Sequence, residues 1–418
     1  MSLMKSDIEE KRKNKRKIYM DTNLRIIFGV TLTYIMGVSS ITPAFPRMVQ
    51  ELNISVKDIG LLITFFTFPG ILLTPFLGFL ADRWGRKKIF VPALLLFGIA
   101  GGACFLVREF NLLLILRLFQ GVGAASLGSL SVTIIGDSYS GKERAAALGY
   151  NSSVRSIGSA IYPTIGGALA ILGWHYPFLL PLLAIPVGLL VLFCLKNPEP
   201  KNELHIKEHL NVVWKRLKNP QVTGLMLIGI LTFIILFGSY MTYFPLLLGD
   251  SFRVSPFIIG IVMSGMSFIA AITSSQVGKI VKIFSEKILL RAAFSLYALA
   301  MLIIPHVSEI WLFSIPILIF GVAHGVSIPI IQTILSGLAP MEYRATFMSV
   351  SGMAFRVGQT LGPFLMGIIF SIGGIGAPFY TGAFLSVIIV LILIGGLFPD
   401  INKVVGGKSV GGRSCDKV

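Results

Sequence analysis

The chain has 418 residues, 54% of them hydrophobic and 13% charged, with a mean hydropathy of +0.82 and a formal net charge of +17. Soluble domains carry about 25% charged residues, so this composition excludes a soluble globular protein and points to a chain dissolved in lipid. The three cysteines, Cys104, Cys194 and Cys415, have neither ligand nor redox spacing, which sets aside a disulfide framework and a cysteine metal site.

Residues 1–23 form a basic tail that includes "KRKNKRK" at 11–17. Attraction to anionic lipid accounts for such a tail, and nucleic acid is not expected as a partner. The first apolar run, 24–46, is long enough to cross a bilayer and carries no A-x-A cleavage site, so it is not a removable signal. A span needs roughly 20 apolar residues. By that measure the others are 58–80, 88–107, 110–134, 145–172, 176–195, 221–247, 256–280, 287–306, 309–335, 344–371 and 375–398. The predicted fold class is an all-α polytopic membrane protein with 12 transmembrane helices.

Between spans 2 and 3 lies "GFLADRWGRKK" (78–88), with Gly78, Asp82, Arg83, Gly85, Arg86 and Lys87. A buried core cannot hold such a run of charge, but a short loop can. Gly78 would let the end of span 2 approach a neighbouring helix closely. Asp82 can accept hydrogen bonds from basic groups or from helix N-terminal amides. Arg83, Arg86 and Lys87 offer partners for Asp137 and Glu143 in "GDSYSGKERA" (136–145), which also carries Arg144. The cluster reads as a latch on one membrane face that releases when the protein changes shape. Anchoring of topology is the plainer reading, but it requires neither the aspartate nor the glycines.

Span 4 contains "RLFQGVGAA" (117–125), with Arg117 and Gly121, and span 5 contains "GSAIYPTIGG" (158–167), with Gly158, Pro163, Gly166 and Gly167. Along span 5, Asn151, Arg155, Ser159 and Tyr162 recur by four, four and three, a polar stripe expected to face a cavity. Arg155 bracing a neighbouring helix is the alternative.

Residues 24–195 thus form an N-terminal half, followed by a linker at 196–220. Within the linker Leu204, Leu210, Val213, Trp214 and Leu217 recur at helical spacing among charges, which predicts a surface helix at the membrane face. His205 and His209 stand four apart; without a third ligand they read as a solvated helix face, and no metal is expected. The C-terminal half, 221–398, is followed by a tail at 399–418.

The two halves are related. A shift of 200 residues places Gly60 on Gly260, Gly78 on Gly278, Gly121 on Gly321, Arg144 on Arg344, Gly158 on Gly358, Pro163 on Pro363 and Gly167 on Gly367, without a gap. Such residues fix backbone shape and close helix approach. Two parallel six-helix repeats make a scaffold that can rock about a central site. In the second copy, "GQTLGPFLMG" (358–367) carries Gly358, Gln359, Gly362 and Pro363.

Charge sets the orientation. Arg47, Lys57, Arg108 and Arg253 lie in the odd-numbered loops, and Arg117, Arg155 and Arg356 lie inside spans. The other basic residues lie in or beside the tails and even-numbered loops, so both termini are expected in the cytoplasm. No acidic residue falls near a midplane. Charges there are costly and usually functional, which makes Arg117, Arg155, Arg356 and His324 of span 10, with Gln359 of span 11, candidates for a substrate or coupling cavity beside the span 5 stripe.

The 78–88 loop has the spacing of the signature between spans 2 and 3 of the major facilitator superfamily, and the whole chain resembles that family. "RLFQGVGAA" is similar to its span 4 signature, and "GSAIYPTIGG" to the span 5 signature of its drug:proton antiporters, with Tyr162 in place of the glycine before proline. The resemblance implies a secondary transporter in the plasma membrane. It would work by alternating access, most simply in proton-coupled efflux of drugs or amphiphilic compounds. No cofactor is implied beyond a proton, and the partners would be a small-molecule substrate and lipid, with the protein a monomer. A carrier for an organic anion or neutral metabolite is the alternative that the carboxylate-free interior favours. A transporter-like sensor is a third reading. An enzyme is not expected, since P-loop, nucleophile-elbow and kinase-type motifs are missing from the sequence.

Overall fold

Lipid offers the backbone no hydrogen-bond partners, so each apolar run has to satisfy its own amides by forming a helix. The computed structural model describes residues 18–196, 219–338 and 344–395, apart from the side chains of Phe79, Asp82, Arg344, Ala345, Thr346 and Ser349; there is no strand among the described residues. In chain order the N-terminal half runs α1 (Thr22–Glu51), α2 (Leu61–Trp84), α3 (Arg86–Ala103), α4 (Phe110–Ser138), α5 (Gly141–Leu172) and α6 (Tyr176–Cys194). The second runs α7 (Pro220–Phe252), α8 (Pro256–Ile280), α9 (Glu286–His306), α10 (Ile310–Leu338), α11 (Arg344–Gly373) and α12 (Ala377–Ile394). Ten of these are long and apolar enough to cross a membrane. The charge-bearing α3 and α5 complete the twelve.

Local chemistry sets the ends. Asp21 caps α1, its carboxylate accepting from the amides of Asn23 at 2.8 Å and Leu24 at 3.3 Å. Asn219 and Ser255 cap α7 and α8 just before Pro220 and Pro256, which occupy first-turn positions where a missing N–H costs nothing. A π-helical stretch, Ile235–Tyr243, interrupts α7 in mid-span.

The signature between spans 2 and 3 is not the loop expected of it. Helix α2 continues through Trp84, and the turn is confined to Gly85, whose φ of 97° a side chain would oppose. Gly78 also departs from expectation, because a Cβ placed there would meet no atom within 4 Å. The expected linker helix with His205 and His209, residues 1–17 of the basic tail and the C-terminal tail lie outside the described residues.

The halves touch along two main seams, α2 against α11 and α5 against α8, and also where Pro46 at the end of α1 lies against Gly249 of α7. On the first, Gly60 packs on Pro363, where a Cβ would stand 3.0 Å from the ring, and the Thr64 hydroxyl donates to the Thr360 carbonyl at 3.0 Å. The Thr360 hydroxyl donates to Thr67 at 2.9 Å, and Arg356 lies over Gly70. On the second, Gly260 faces the Pro163 carbonyl, Gly167 faces the Pro256 carbonyl, and the Thr164 hydroxyl donates to Ser264 at 2.7 Å. Both seams stop partway. Gly78, Gly149, Gly278 and Gly352, nearer the other ends of these four helices, would meet nothing within 4 Å. Among the described residues the close glycine and hydroxyl contacts between the halves thus lie toward one end of the bundle, and we take the other, which carries Gly85 and Asp137, as the parted end.

Candidate functional site

The parted end is the charged one. Arg86 is buried, forms an ion pair with Asp137, and donates to the Thr133 carbonyl at 3.2 Å. Lys87 donates to the Leu195 carbonyl at 3.3 Å. The Arg144 guanidinium lies beside Gly136, 3.0 Å from where a Cβ would stand. Arg83 and Glu143 are exposed. All these groups belong to the N-terminal half, so the structure draws Arg86, Lys87, Asp137 and Arg144 onto that half alone. The side chains of Asp82 and Arg344 lie outside the described residues.

The three interior arginines have different surroundings. Arg117 is fully buried: Nε donates to the Leu62 carbonyl at 3.0 Å, Nη1 donates to Gln120 Oε1 at 2.7 Å, and the guanidinium carbon lies 4.3 Å from the Phe66 ring centroid. The expectation that it lines a cavity is corrected, since a group with no exposed surface fastens α4 to α2 instead. Arg155 is exposed and has no hydrogen bond or ion pair to a described residue. Arg356 is half-buried and crosses from α11 into the N-terminal half, where Nη2 donates to the Ala125 carbonyl of α4 at 3.4 Å.

The span 5 stripe is divided. Asn151 is buried and accepts from the Thr31 hydroxyl of α1 at 2.7 Å, so it joins helices rather than facing a cavity. Ser159 and Tyr162 are half-buried, with the Tyr162 ring against Gly158. Gln359 is half-buried on α11. In α10, His324 Nδ1 pairs with the Tyr297 hydroxyl of α9 at 2.6 Å. The packing glycines bring backbones together: Gly121 faces the Phe66 carbonyl, Gly166 that of Ser40, and Gly358 that of Ile230, while a Cβ on Gly362 would stand 2.9 Å from the Ile234 carbonyl.

Sequence reasoning overlooked the hydroxyl pairs of the seams. A signal was present, because Thr64 and Ser264 are 200 residues apart and both sit four residues beyond a seam glycine.

A profile of the Major Facilitator Superfamily matches residues 27–251 and again 226–412, one match to each half. Multidrug resistance protein 1 of Bacillus subtilis is 27% identical over 372 residues, covering 88% of this chain and 93% of its own. Quinolone resistance protein NorA of Staphylococcus aureus is 25% identical over 393 residues, covering 91% and 96%. Among solved structures, the nucleoside transporter NupG superposes with a TM-score of 0.77 at 14% identity, covering 91% of this chain and 100% of its own. Repeat, seams and doubled profile agree: the chain is an integral multi-pass membrane transporter, not an enzyme, and it belongs to the major facilitator superfamily.

Proposed function

We propose that this protein is a secondary active transporter of the plasma membrane that exports drugs or other amphiphilic compounds in exchange for protons. The observation that carries the reading is the pair of half-length seams. Two rigid halves, joined at one end and apart at the other, can expose a central site to one side at a time by rocking. The distribution of Lys and Arg supports placing the parted end and both termini in the cytoplasm. Export agrees with relatives named for multidrug and quinolone resistance. In this reading Arg86, Asp137 and Arg144 belong to the latch that would close the cytoplasmic side, with Asp82 and Arg83. Arg155, Ser159, Arg356 and Gln359 would border the substrate's path. The proton would be carried by His324, by the latch aspartates or by the substrate.

A second reading, carriage of an organic anion, is favoured by Arg155, which is exposed without a described partner, in spans that keep their carboxylates at the ends. Everted vesicles with an imposed pH gradient separate the two. Accumulation of cationic and zwitterionic amphiphiles on acidifying the lumen supports proton-coupled export. Uptake of anions alone supports the second reading, and no gradient-dependent movement of any compound contradicts both.

A further inference from the structure

Arg356 occupies the point where the α2–α11 seam ends and the cleft between the halves begins. Thr360, one turn toward the closed end, bonds to Thr67, whereas Gly352, one turn the other way, would meet nothing within 4 Å. The guanidinium lies across the bare backbone at Gly70, where a Cβ would collide with Nη1.

Its bonding is thin for a charge at this depth. A guanidinium has five N–H donors, and the bond described for this one is a 3.4 Å contact to the Ala125 carbonyl, with no carboxylate among the described residues paired to it. Charge-assisted bonds to carboxylates are normally about 2.7–2.9 Å and can form two at once. The carbonyl does not depend on Arg356 either, because the Thr74 hydroxyl donates to it at 2.8 Å. Breaking the cross-half bond therefore leaves no orphaned acceptor. The arrangement is one-sided. The repeat partner of Arg356 is Ser156, and that of Gly70 is Ala270, so the strut has no counterpart at the equivalent position of the α5–α8 seam, where the nearest charge is the adjacent, exposed Arg155.

We propose that Arg356 is a strut displaced by substrate: a carboxylate-bearing amphiphile entering the cleft takes the guanidinium from the Ala125 carbonyl, which selects carboxylates as cargo and frees the seam to open. The proposal rests on transport through the cleft. A neutral carbonyl at 3.4 Å competes poorly with a carboxylate in a low-dielectric cleft, where the bidentate pair gains most. Once the guanidinium turns to the ligand, the seam loses the contact nearest its open end.

The test uses a quinolone carboxylic acid and its methyl ester, which differ in one negative charge. Equilibrium binding to the purified full-length protein is measured beside transport in proteoliposomes. Wild type should bind the acid more tightly than the ester. Arg356→Gln should weaken the acid about tenfold or more and leave the ester within about twofold, and Arg356→Lys should restore part of the preference. Gly70→Ala keeps the charge but removes its resting place. It should keep the preference for acid while a cysteine introduced at Thr67 is alkylated faster. Equal loss of acid and ester binding in Arg356→Gln, or no loss of either, overturns the proposal. A wild type that binds the acid selectively but moves neither compound across the bilayer leaves the anchor standing and contradicts the transport reading instead.

Discussion

The carbonyl of Pro163 occupies the space that a side chain on Gly260 would need, and 200 residues round the repeat Pro363 lies against Gly60 in the same way. Each seam thus pairs a glycine of one half with a proline of the other. A Cβ at Gly260 has to push the halves apart, so Gly260→Val should weaken closure at that end. Cysteines replacing Thr164 and Ser264, in a background free of other cysteines, should cross-link readily with Gly260 and slowly with valine there. Equal rates would show that the contact does not hold the seam.

The ion pair between Arg86 and Asp137 is made within the N-terminal half, so its loss should read in stability as well as in the latch. Arg86 is buried, and Asp137→Asn removes a charge-assisted bond of about 1.5–3 kcal/mol. A lower melting temperature in detergent is expected. Asp82→Asn, by contrast, should reduce transport severely at normal insertion levels, because Asp82 belongs to the proposed latch. Full activity in that variant would remove the latch from the account.

Arg117 and Arg155 should separate cleanly. Arg117→Met strips partners from the Leu62 carbonyl and Gln120 inside a packed half, costing about 1–3 kcal/mol. Arg155→Ala removes an exposed group without a described partner, so it should leave the melting temperature unchanged and weaken binding of anionic or polar neutral substrates. A large fall in melting temperature with unchanged affinity would make Arg155 a strut.

At the closed end His175 sits among Trp174, Phe105 and Tyr176, with ring centroids 4.8–5.5 Å away. Burial, followed by the charge of Arg108, holds the imidazole below its ordinary range. The unfolded chain, with an ordinary value near 6.5, then takes up the proton first. This contribution to stability is present above about pH 6.5 and is lost as pH falls toward the folded value. The melting temperature should fall less from pH 7.5 to 5.5 in His175→Gln than in wild type. Parallel pH profiles would contradict this.

The spans, the repeat and the seam prolines were legible because hydropathy and glycine–proline placement act locally and recur at one fixed offset. What Arg117 and Asn151 do was not. Spacing reports that a polar residue lies on one helix face, but not whether another helix supplies a carbonyl or hydroxyl to meet it. The loop expected at 78–88 failed for a related reason: charged residues mark the membrane edge, whereas the turn itself depends on Gly85 alone.

Rocking of the halves is tested most directly by distances at both ends of one molecule. Spin labels at positions 78 and 352 report the parted end, and labels at 57 and 371 the joined end. In liposomes, a quinolone carboxylic acid with an imposed pH gradient should shorten the first distance and lengthen the second in the same fraction of molecules. Both distances unchanged, or both moving the same way while transport proceeds, would contradict the account.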